Sequence, residues 1–166
     1  KESIKLRGNE SSLAVLVVYL NTTSTLFKND ELPAETMLNN YSQTHAMVEK
    51  QLEKNPGSSR YQKATETLDK IFEASGAATC ENLVELYKPR FEEDKDNKEL
   101  ISKIIRMLED SKCGDTPFYM TVKTRLNEVE PTAKRAHELA QLNYEDKKID
   151  KAIQYFKQAI DLQDDK

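Results

Sequence analysis

Along almost the whole chain, apolar side chains recur in steps of three and four residues, the period of an α-helix. The clearest run is Ala34, Leu38, Tyr41, His45, Val48 and Leu52. Pro33 suits its first turn, Glu35 complements the N-terminal dipole, and Asn55-Pro56-Gly57 ends it. Shorter runs follow: Tyr61, Ala64, Leu68, Ile71 and Phe72; then Val84, Tyr87 and Phe91 after Thr79, an N-cap candidate. Pro89 lies inside the second of these and predicts a kink or break near Tyr87. Leu100, Ile101, Ile104, Ile105 and Leu108 precede Lys112-Cys113-Gly114, and Tyr119, Val122, Leu126 and Val129 follow Thr116-Pro117. The first long segment carries two signals. Leu13, Leu16, Val17, Leu20 and Phe27 fit a helix, whereas its many valines and threonines are β-branched. Its length and its helical neighbours favour a buried helix over a strand.

Composition narrows the class further. The chain has only four glycines (Gly8, Gly57, Gly76 and Gly114) in 166 residues. So few, so scattered, form neither a dinucleotide-binding loop nor a Walker loop, and they argue against a sandwich or barrel of many short strands. Gly57, Gly76 and Gly114 instead fall between helical runs and mark expected joints. The 25 basic and 29 acidic residues are interspersed, giving a net charge of −4. Without a basic face, no nucleic-acid partner is expected. The longest apolar run, Leu13 to Leu20, is less than half a membrane span, so no membrane insertion is expected. Lys1 opens the sequence with no basic-then-apolar leader, which suggests a processed or excised piece.

These signals predict an all-α fold of about eight helices, paired as hairpins over roughly 11–54, 58–94, 97–130 and 131–163. Their lengths match the period at which helical solenoids repeat. Each hairpin then covers its apolar stripe only by stacking on its neighbours.

Residues 133–163, AKRAHELAQLNYEDKKIDKAIQYFKQAIDLQ, resemble a tetratricopeptide repeat. Leu139 and Ala140 match the pattern's first helix, and Ala152, Phe156 and Ala159 match its second. Ile149, Tyr155, Ile160 and Leu162 also agree. Ala136, Asn143 and Lys147 depart from the usual Trp, Tyr and Gly, and Asp164 replaces a common Pro. The resemblance implies antiparallel hairpins stacked as a right-handed superhelix. Leu139, Ala140, Ala152, Phe156 and Ala159 would be packing residues, the small ones admitting close helix approach and Phe156 filling the space between successive hairpins. It further implies a groove lined by first helices, here Lys134, His137, Gln141 and Tyr144, holding a protein or peptide. The family's carboxylate clamp finds only Lys134. The middle hairpins agree only in length and period. The expected organisation is a repeat remnant and linker over 1–10, a long hairpin over 11–57, divergent repeat-like hairpins over 58–130 and a repeat over 131–166. The remnant rests on KESIKL at the start, which is similar to KQAIDL at Lys157 to Leu162 and suggests a fragment of a longer array.

No catalytic, cofactor or metal motif emerges. His45 sits on an apolar stripe, where a half-buried packing role is favoured over a site. His137 begins no HExxH, and two Cys and two His far apart give zinc no ligand set. Asp94, Asp96 and Lys98 lack the turn glycine of a calcium loop, with Glu99 in its place, and read as a solvated helix end. Cys80 and Cys113, 33 positions apart, occupy comparable points of adjacent hairpins. A disulfide between them is open if the compartment is oxidising. Two free thiols are favoured, because neighbouring repeats often hold such positions too far apart. Asn9, Asn21 and Asn40 begin N-x-S/T triplets, which alone mean little.

The expected function is therefore a non-catalytic scaffold for protein–protein interaction, with no cofactor. The alternative is an accessory segment of an enzyme whose catalytic domain lies elsewhere. Self-association through exposed solenoid ends is a third reading. The similarity of the hairpins to bacterial tetratricopeptide proteins allows a periplasmic or a cytoplasmic location, the former if the cysteines are bridged.

Overall fold

The helical period is realised along the chain. A computed structural model describes residues 10–164, and among these it contains eight helices and no strand. They are α1 (Glu10–Lys28), α2 (Ala34–Lys54), α3 (Ser59–Ser75), α4 (Cys80–Glu93), α5 (Lys98–Asp110), α6 (Pro117–Val129), α7 (Ala133–Glu145) and α8 (Ile149–Asp164). The repeat remnant expected over 1–10 and the Asn9 triplet lie outside the described residues, apart from Glu10, which opens α1. The described residues fall into two compact units that divide between Asn82 and Leu83.

In the first unit, α1, α2 and α3 each pack on the other two. The β-branched content of α1 does not prevent a helix, and its threonines show how. The hydroxyls of Thr22, Thr23 and Thr25 donate to the carbonyls of Val18, Tyr19 and Asn21, one turn back. The helix is half-buried rather than buried. Leu13, Leu16 and Leu20 face α2 and α3's core, while Val15, Val18 and Tyr19 are exposed. On the stripe of α2, Leu38, Tyr41, His45 and Val48 are buried, and the Tyr41 ring stacks on Phe72 of α3 at 4.2 Å.

His45 is completely enclosed, beyond the half-burial its position suggested. Its Nε2 lies 3.3 Å from Asp69 Oδ1 and its Nδ1 3.2 Å from Glu49 Oε2. The Tyr41 hydroxyl donates to the same Asp69 oxygen at 2.6 Å. Tyr41, His45 and Asp69 thus form a polar brace joining α2 to α3 within the first unit's core.

In the second unit, α5 packs on α6, α6 on α7 and α7 on α8, and Phe91 of α4 meets Phe118 of α6 edge-on at 5.8 Å. The break expected near Tyr87 does not occur. Pro89 lies in the last turns of α4, where it forfeits one backbone bond and the helix continues to Glu93. The caps are side-chain oxygens: Asn97, Thr116 and Thr132 accept from the amides of Leu100, Tyr119 and Arg135. The acidic run before α5 is used structurally, Asp96 pairing with Arg125 of α6.

Glycine marks fewer bends than its position suggests. Gly57 and Gly76 adopt left-handed backbone, φ +84° and +83°, but Gly114 does not. At that joint the left-handed residue is Lys112, and Asp30 and Lys147 play the same part after α1 and α7. All three close the helix with one paired hydrogen-bond pattern. After α7, Lys148 N–H reaches the Asn143 carbonyl at 2.8 Å and Lys147 N–H reaches that of Tyr144 at 2.9 Å. After α5, Cys113 and Lys112 bond Leu108 and Glu109 in the same way, as Glu31 and Asp30 do with Leu26 and Phe27 after α1. A side chain at such a φ is strained, so Lys147→Gly is expected to stabilise the chain by about 0.5–1 kcal/mol. Urea unfolding would record it as a higher midpoint at unchanged slope.

Candidate partner-binding surface

The α7/α8 hairpin is held together by small residues. Ala136 and Ala140 on α7, with Ala152 and Ala159 on α8, are buried together with Leu139. Absence of larger side chains lets the two backbones approach. Asn143, at the position where the repeat pattern has Tyr, is also buried, and its amide donates to the Leu139 carbonyl at 2.8 Å. Asn143 Oδ1 is not needed for the turn; its backbone carbonyl receives Lys148.

Phe156 departs from the packing role expected of it. It is 36% exposed, because α7 covers the side of α8 that carries Ala152 and Ala159, and no other described element covers the next face. Its ring rests edge-on against His137 at 5.6 Å. The 3–5 kcal/mol typical of truncating a buried Phe does not apply here.

Lys134, His137, Gln141 and Tyr144 follow one another at three- and four-residue steps along α7, on the face opposite Ala136, Leu139, Ala140 and Asn143. All four are exposed, Tyr144 by 63%. Lys134 Nζ stands 4.0 Å from Glu138 Oε1, a loose pair that leaves the ammonium in solvent. A groove of about 530 Å³ runs between α7 and α8 beside this face. Thr132, Lys134 and His137 form one wall, and Phe156, Ile160 and Gln163 the other. It can receive an apolar side chain between Phe156 and Ile160 while its rim offers polar contacts. Gln141 and Tyr144 lie further along α7, outside that groove's lining.

A second cleft, of about 390 Å³, lies among α5, α6 and α7 and holds a polar cluster. The Tyr119 hydroxyl donates to Glu109 Oε1 at 2.6 Å, and Lys123 Nζ lies 3.0 Å from Glu138 Oε2 and 3.3 Å from Glu109 Oε1. Burial and the bond to Glu109 raise the Tyr119 pKa, and Lys123 only partly offsets them. Burial disfavours the Lys123 ammonium, but its bonds with Tyr119 and Glu138 outweigh this and raise its pKa. Both shifts lie above ordinary values of 10.0 and 10.5, so neither group changes protonation across the neutral range. The lysine held charged and the phenol held protonated tie α5, α6 and α7 together. The His45–Asp69 pair is enclosed in the core.

Among the described residues, no group of three or more His, Cys, Asp or Glu is placed to hold a metal ion, and no helix is long and apolar enough to cross a membrane. Neither cysteine is a free thiol; Cys80 and Cys113 are both disulfide-bonded. The free-thiol reading, which spacing favoured, is thereby replaced, since sequence separation alone does not decide whether a thiol is bonded. Alkylation of the denatured, unreduced chain is expected to add no adduct and, after reduction, two. Mass spectrometry would record the difference.

No protein-family model and no curated protein matches the chain.

Proposed function

We propose that this chain is a non-catalytic helical scaffold built of tetratricopeptide-like hairpins, which binds a protein or peptide along the outer face of α7. The observation that carries the reading is the exposed row of Lys134, His137, Gln141 and Tyr144 beside the groove between α7 and α8. Close packing of Ala140, Ala152 and Ala159 supports the repeat likeness and gives that row a rigid base. An exposed tyrosine and a histidine on a braced helix supply aromatic contact area at low entropy cost. The polar clusters elsewhere are saturated by ion pairs and by burial, which favours a binding role over turnover. Disulfide-bonded cysteines further favour an oxidising compartment, which in a bacterium is the periplasmic side.

A photo-activated cross-linker placed at Gln141 tests the reading against one placed at Asp161, an exposed α8 position turned away from α7. In host extract, the Gln141 probe is expected to give a discrete adduct that Tyr144→Ala removes. The same adducts from both positions, unaffected by Tyr144→Ala, would refute it.

A further inference from the structure

Four apolar residues of α8 remain uncovered: Ile149, Ile153 and Ile160 are 47%, 47% and 59% exposed, and Phe156 is 36% exposed. Their spacing is 4-3-4, the alternation of the d and a positions in a heptad repeat. A stripe with that spacing forms a straight seam matched to another helix with the same seam. From the geometry and the charges beside it, we infer that this face pairs with the α8 of a second copy of the chain, in antiparallel orientation.

The orientation follows from what flanks the seam. On one side, at the g positions, stand Ala152 and Ala159, which are buried against α7. On the other side, at the e positions, stand Asp150 and Lys157, both exposed. A parallel pair sets e against g, so each charge would face a buried alanine and the partner's α7. An antiparallel pair sets e against e. With Ile153 opposite the partner's Phe156 and Ile149 opposite the partner's Ile160, Asp150 falls beside the partner's Lys157, and Lys157 beside the partner's Asp150. The contact is self-complementary, as a two-fold interface requires, and carries two opposite-charge pairs. α8 is short for a free coiled coil, but each copy is already braced by α7, so the product is a four-helix assembly of two hairpins. The partner's α8 also covers the Phe156–His137 edge, enclosing the rings that now face solvent. The pairing covers the α8 wall of the groove, Phe156 and Ile160, and so leaves the ligand proposed above only the outer face of α7.

Light scattering coupled to size-exclusion chromatography tests it on the full chain. The wild type is expected at twice its 19.1 kDa mass at high micromolar concentration. Asp150→Lys places lysine opposite lysine, and Lys157→Asp places aspartate opposite aspartate. Each single variant should weaken the dimer about tenfold or more. The double variant Asp150→Lys/Lys157→Asp should regain the wild-type dimer, and mixing the two single variants should give a heterodimer. Ile153→Glu should leave a monomer with an unchanged circular dichroism spectrum, since the side chain is exposed in the monomer. A wild type that stays monomeric would overturn the inference. So would a dimer indifferent to Ile153→Glu, or single variants that do not pair on mixing.

Discussion

Replacing Asp69 by alanine is expected to destabilise the chain by about 2–5 kcal/mol. The Asp69 Oδ1 atom receives the Tyr41 hydroxyl and lies beside His45 Nε2, and all three side chains are buried. Removing the carboxylate takes away the acceptor of the buried Tyr41 hydroxyl and the partner of His45 Nε2, and loss of a buried partner costs more than the bond contributed. Asp69→Asn keeps the volume and one acceptor and should lose distinctly less. Urea unfolding of both variants separates these cases. A shift under about 1 kcal/mol for Asp69→Ala would show that the brace is not a main tie between α2 and α3.

Ala152→Leu is expected to cost about 1–3 kcal/mol, because its Cβ already faces α7 and added methyl groups must displace that helix. The neighbouring change Phe156→Ala should cost only about 1 kcal/mol, since part of the ring is already in solvent. The ordering is informative: a small residue is expected to matter more than an aromatic one. Thermal unfolding of the two variants at a concentration low enough to keep the chain monomeric checks it. The reverse order under those conditions would mean that Phe156 contributes more to the single chain than its exposure allows.

Much of this architecture could be read from residue spacing. Stripes such as Leu38–Tyr41–His45–Val48 and the cap at Thr79, which accepts from the Asn82 amide, are local features, and local hydrogen bonding decides them. Three kinds of feature were not legible. Left-handed turns at Asp30, Lys112 and Lys147 rest on backbone bonds that any residue can make at a modest strain cost, so glycine counts miss them. The brace between His45 and Asp69 joins positions on two helices. Its only trace was an acid beside Leu68, within the apolar face running to Phe72. The exposure of Phe156 was not legible because spacing marks an apolar residue without showing which described element packs against it. For the candidate surface, the four α7 positions came from the repeat resemblance, and helix geometry agrees in opposing them to Leu139 and Ala140. The groove beside them was not legible, because Phe156 had been assigned to the interior.

The central claim is that the outer face of α7 recognises protein. Panning a random displayed-peptide library on the chain, followed by affinity measurement on His137→Ala and Tyr144→Ala, addresses it without the native partner. The account predicts enriched peptides whose affinity falls about tenfold or more in both variants, a loss of about 1.4 kcal/mol. Failure to enrich any peptide, or peptides that bind both variants as well as the wild type, would contradict it.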